Sequence, residues 1–108
     1  MYAAADLDQL RAWGRVALYL PGWERYSIWG WDGREGSLFA QLWRNTDDRD
    51  AEPSIWITTL TGWPAVREPE VLAEWVSSAT GCRLPDVLLA MAAHAPGSLS
   101  GHLRELAV

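Results

Sequence analysis

The sequence predicts an α+β fold: a four-stranded antiparallel meander sheet with two C-terminal helices packed on one face and a short N-terminal helix. Three observations carry that reading. Apolar residues alternate with polar or aromatic ones in several short runs between Arg15 and Leu60, the period-two signature of strands. Two aromatic-rich runs, Tyr26 to Asp32 and Leu38 to Trp43, flank a turn bounded by Gly33 and Gly36, which reads as a hairpin. From Pro69 onward the apolar spacing becomes helical, and helices that follow a completed antiparallel sheet are usually segregated to one of its faces.

At the start of the chain, Asp6 with Gln9 resembles a capping box, and Leu7, Leu10 and Trp13 follow at helical spacing before Gly14. A first helix is expected from about Leu7 to Trp13. Arg15 to Leu20 then alternates, with Val16, Leu18 and Leu20 on one side and Arg15, Ala17 and Tyr19 on the other, until Pro21 and Gly22 turn the chain.

The parity of the hairpin loop decides which side chains share a face. An even loop puts Trp29 and Trp31 beside Leu38, Ala40 and Leu42, and Ile28 beside Phe39, Gln41 and Trp43, so each face mixes residue classes. An odd loop gathers Tyr26, Ile28, Leu38, Ala40 and Leu42 on one face and Trp29, Trp31, Phe39, Trp43, Ser27 and Gln41 on the other. A register that separates residue classes favours uniformly buried faces, so the odd loop is expected. Gly30 then marks a bulge or a place where a neighbouring ring packs over bare backbone.

Asn45 to Pro53 carries Asp47, Asp48, Arg49, Asp50 and Glu52 without apolar periodicity, the pattern of a solvated loop. Ser54 to Leu60 resumes alternation as the fourth strand. Pro69, set between Glu68 and Glu70, suits a helix N-terminus, and the stripe Leu72, Trp75, Val76 and Ala79 runs to a stop at Gly81. A further helix is expected from about Pro85 to just before Pro96, with Leu84, Val87, Leu88 and Met91 as its apolar stripe. Residues 97–108 read as a docking tail or a short helix, with Leu99, Leu103 and Leu106 at helical spacing behind Ser98.

Under the odd register one sheet face is aliphatic and takes the two helices, while the other collects Tyr19, Trp29, Trp31, Phe39, Trp43 and Trp56, with Arg15 and Arg25 at its margin. Each such ring buries about 150–250 Å² when covered, far more in sum than a monomer ordinarily exposes. The first helix, placed toward this face, is too short to cover it. The rest of the chain, a second copy or protein partner, and a small aromatic-stacking ligand are the candidate covers.

Composition bounds the remainder. At 108 residues and 49% hydrophobic the chain can hold one core, read as a single domain over 1–108. A net charge of −5 opposes binding a phosphate backbone. The helix expected over Pro85 to Ala95 has no Arg, Lys, Gln or Asn with which to read a major groove, so duplex DNA is not an expected partner. All nine basic residues are Arg, a bias that suits a high-GC bacterial genome. With Cys82 as the one cysteine, neither an internal disulfide nor a thiolate metal site is expected. The N-terminal residues do not form a signal peptide and no apolar run is long enough to span a bilayer, so a soluble, cytoplasmic protein without membrane attachment is expected.

His94, Cys82, Asp86, His102, Ser98 and Ser100 are the candidates for nucleophile or base, and no spacing links them into a motif. The acidic loop lacks the Gly and Glu positions of a calcium loop. No catalytic, cofactor or metal residue is therefore assigned, and the balance points away from an enzyme. The expected function is a non-enzymatic interaction module, homodimeric or binding a protein partner through Tyr19, Trp29, Trp31, Phe39, Trp43 and Trp56 with Arg25. The alternative is a small-ligand-binding or enzyme-like domain with an aromatic pocket.

Overall fold

A computed structural model describes residues 2–48 and 50–108; Met1, and Arg49 of the acidic loop, lie outside the described residues. The chain runs through α1 (Ala4–Trp13), β1 (Arg15–Ala17), β2 (Ile28–Asp32), β3 (Ser37–Leu42), β4 (Ile55–Ile57), a 3₁₀ turn (Thr59–Thr61), α2 (Pro69–Thr80), α3 (Leu84–Ala92) and α4 (Gly97–Leu106). The strands form one antiparallel sheet in the order β1-β2-β3-β4, the expected meander. The helices that follow it complete the expected α+β fold, and the C-terminal segment is itself a helix.

Local chemistry accounts for the element ends. Pro69 lies in the first turn of α2, and Gly81 adopts the left-handed conformation past its end while its N–H donates to the Ser77 carbonyl. β4 is shorter than the alternation suggested because Thr58 turns the chain: its side chain accepts the Leu60 N–H and opens the 3₁₀ turn. Beside the first residues of β3, where β4 does not reach, the 66 position takes its place. There the Leu38 N–H donates to the Val66 carbonyl at 2.8 Å, and the Ser37 hydroxyl accepts the Val66 N–H at 2.8 Å.

The hairpin register corrects the sequence expectation. Trp29 pairs with Ala40, Trp31 with Leu38 and Asp32 with Ser37, so the loop is even: four residues, Gly33 to Gly36. Asp32 Oδ1 accepts the N–H groups of Arg34 (3.0 Å) and Glu35 (3.3 Å), and Gly36 takes a positive φ of 61° to bring the chain back. Volume, and not residue class, sorted the faces. The large indole of Trp29 lies across from Ala40 on one side and Val16 on the other, so a small and a branched residue leave the space that it fills.

One face of the sheet thus presents Val16, Trp29, Trp31, Leu38, Ala40, Leu42, Ile55 and Ile57 to the helices. Trp29, Leu38, Ala40, Leu42 and Ile57 are buried with Leu72 and Val76 of α2, Val87 and Met91 of α3, and Leu99 and Leu103 of α4. Among the described residues no helix is long and apolar enough to cross a membrane.

A second correction concerns α1. It was expected toward the ring-bearing face, but it packs on β1, β2 and α4 and sends Leu10 into the same core. The reason lies in Asp6. Instead of capping its own helix, its carboxylate accepts the N–H and the hydroxyl of Ser98, filling the cap position of α4, whose own N-cap residue, Pro96, makes no side-chain hydrogen bond. The Ala3 N–H donates back to Ser98 Oγ at 2.8 Å, and Tyr2 sets its ring edge-on to His102 of α4 at 5.0 Å. With α1 held in this way, no helix among the described residues lies across the other face of the sheet.

Candidate functional site

That outer face carries Arg15, Ala17, Ile28, Gly30, Asp32, Phe39, Gln41 and Trp56, the alternate residues of the same strands. An open groove of about 650 Å³ crosses it. Ile28, Phe39 and Gln41 form its floor on β2 and β3. Trp13, at the end of α1, stands on one side, and Trp56 of the edge strand β4 on the other. Trp13 is 50% and Trp56 37% exposed, whereas Trp29, one residue away from the floor on β2, is 0% exposed.

Gly30 shapes the groove. A Cβ there would lie 2.2 Å from the Gly14 carbonyl oxygen and 2.6 Å from the Arg15 Cα, so the backbone leaving α1 rests directly on the bare glycine. The same Gly14 carbonyl accepts the Trp31 N–H at 2.9 Å. The expectation of a bulge or an overlying ring at Gly30 is thereby corrected: the pairing runs unbroken through it and main chain packs on it, which brings Trp13 to the rim of the groove.

Polar groups gather at the hairpin end. Arg15 lies beside Gly30, and Arg34 projects from the turn. Neither makes an ion pair or a side-chain hydrogen bond among the described residues. Asp32 is the acid of the groove, and its Oδ1 is occupied by the turn N–H groups. Trp31 closes this end from the core side, with the Arg11 guanidinium 4.5 Å from its ring centroid.

The residues singled out from the sequence separate. Trp31, Phe39 and Trp56 line the groove. Trp29 faces the core, buried, and is not available on the outer face. Tyr19, exposed, sits edge-on to His94 at 4.9 Å and borders a small hollow with Pro21, Asp86 and Leu89. Trp43 donates its indole N–H to the Ala51 carbonyl at 2.8 Å, which ties it to the acidic loop. Arg25 is engaged locally: its guanidinium donates to the Asn45 carbonyl and the Tyr26 hydroxyl.

Sequence reasoning missed Trp13, Ile28 and Arg34 as groove residues, and it set Gln41 on the ring-bearing face without assigning it a role. Parity was the signal that could have found Ile28, because the even loop places it beside Phe39, Gln41 and Trp56.

Four groups away from the groove have displaced pKa values. Hydrogen bonding from Ser98 lowers Asp6, hydrogen bonding from Asn45 lowers Glu24, hydrogen bonding from Ser54 lowers Asp47, and burial raises Tyr2. Each is a structural capping or packing arrangement. The described residues contain no cluster of His, Cys, Asp or Glu arranged to hold a metal ion. What the groove offers is flat apolar surface, arginine donors and one amide. Neither a family model, nor a curated protein, nor a solved structure matches this chain.

Proposed function

We propose that the protein is a non-enzymatic binding module that engages a protein partner through the outer face of its sheet. One observation carries the reading: all the packed helices lie with the opposite face, while Trp13, Phe39 and Trp56 remain around an open groove. Tryptophan and arginine are the residue types enriched at the centres of protein interfaces. The volume falls within the range of small-molecule pockets, but such pockets enclose most of their ligand, and a groove open along its length favours a macromolecular surface.

Site-specific photo-crosslinking tests this directly. A photoreactive phenylalanine analogue introduced at Gln41, on the groove floor, should give a defined protein adduct in cells. The same group at Ser78, exposed on α2, should not. Equal labelling from both positions, or none from position 41, would remove the basis for the proposal.

A further inference from the structure

Resting on the binding role just proposed, we infer that the occupant of the outer face is an acidic, extended segment of a partner protein. Its carboxylates meet Arg15 and Arg34, and its apolar side chains lie over Ile28, Phe39 and Trp56.

The groove is polarised. Arg15 is in register with Gly30 and Phe39 toward the hairpin turn, and Arg34 is in the turn itself. Ile28, Gln41 and Trp56 form the next outward-facing row of the sheet, about 7 Å further along the strands. Cations and apolar surface therefore lie side by side, within the reach of successive side chains on one extended segment. Four strands span about 14 Å between outer axes, which about four or five extended residues cross.

Charge selects the chemistry of that segment. The chain as a whole carries −5. Arg11, Arg25, Arg44 and Arg104 each hold a partner within the fold; Arg15 and Arg34, like Arg67 and Arg83 away from the groove, hold none among the described residues, and only Arg15 and Arg34 stand beside the exposed rings. A guanidinium with its fork of donors free matches a carboxylate in a two-point hydrogen bond. The amide of Gln41, between Ile28 and Trp56 in the apolar row, adds a donor and an acceptor for a main-chain group of the segment.

Two other occupants fit less well. A second copy joined about a two-fold axis brings the same patch to itself, so Arg15 and Arg34 would face a surface with the same excess of positive charge. A single-stranded nucleic acid would find rings to stack on. However, its affinity depends on many phosphate contacts, and two arginines on an acidic protein supply few.

Titration of the full chain, followed by amide and indole NMR resonances, tests the inference with three probes. These are a short peptide alternating glutamate and leucine, the same peptide with lysine for glutamate, and a short oligothymidylate. The glutamate peptide should shift Phe39, Gln41 and the Trp56 indole, and leave Trp29 unmoved. Arg15→Ala with Arg34→Ala should weaken it about tenfold, equivalent to about 1.4 kcal/mol, and added salt should weaken it too. Light scattering on the same samples should report one chain per particle.

Tighter binding of the lysine peptide or the oligothymidylate, or no shift with any probe, overturns the acidic assignment. So does a dimer whose formation moves the same resonances. A protein adduct from position 41 together with such a result would leave the binding face in place and remove only its preference for acids.

Discussion

The two faces of this sheet are built from neighbouring residues of the same four strands, yet they have opposite fates. Trp29 is wholly buried; Trp56, on the opposite face, is 37% exposed. Ring content does not distinguish the faces, since each carries large aromatics. Cover does. The face with Ala40 and Val16 beside Trp29 has hollows that helical side chains and one indole can fill together. Among the described residues the face with Phe39 and Trp56 receives no helix: α1, which ends beside it at Trp13, buries Leu10 in the core and is tied to α4 by Asp6. An aromatic residue on a strand is thus core or contact surface according to where the helices are tied.

The largest effect that would break this contrast is at Trp29. Trp29→Ala should cost about 3–5 kcal/mol in chemical denaturation, the usual range for emptying a large buried ring site. A loss under about 1 kcal/mol would show that the two faces are not energetically distinct. Trp29→Phe should recover part of the loss, because the Trp29 indole N–H is buried without a hydrogen-bond partner and phenylalanine removes that donor.

Next is Gly30→Ala, on the outer face but under the α1–β1 corner. The added methyl meets main chain at 2.2 Å, so the corner must shift. We expect a loss of about 1–3 kcal/mol in the same measurement, with altered indole resonances of Trp13. An unchanged midpoint would mean that the corner yields freely.

A smaller effect, with a distinctive pH dependence, is expected for Asp6→Ala. Hydrogen bonds from Ser98 lower the Asp6 pKa in the folded state, so its stabilising contribution is complete above the ordinary carboxylate value and fades as pH falls through the lower folded value. The variant should melt below wild type at neutral pH, and the gap should narrow in acid. A gap that is constant across that range would exclude the carboxylate as its source.

The smallest effect sharpens the contrast from the other side. Trp56→Ala should change folding stability by no more than about 0.5–1 kcal/mol, since the ring is partly exposed at a sheet edge, while reducing any adduct formed at position 41. A loss as large as that at Trp29 would make Trp56 a core residue.

Much of the fold was legible because its signals are local. Alternation marked every strand, Pro69 and Gly81 bracketed α2, and the strand-then-helix order gave the α+β class. What was not legible depends on contacts between distant segments. Loop parity turned on how the Asp32 carboxylate organises the turn and on the match of Trp29 to Ala40, neither of which appears as periodicity. Asp6 looked like a cap for its own helix, because the demand it satisfies comes from Ser98, far along the chain. The candidate site inherited both errors. Phe39 and Trp56 kept their outward face under either register, while Trp29 exchanged places with Ile28.

The Asp6–Ser98 contact joins positions 92 residues apart, and this bears on the order of events as the chain is synthesised. The hairpin closes through neighbours and can form early, but α1 has no local cap and must wait until α4 has left the ribosome before its carboxylate finds a donor. The final step of folding is therefore expected to be the pinning of the start of α1 to α4, while the Trp13 end of the helix is already held against β2 through Gly14.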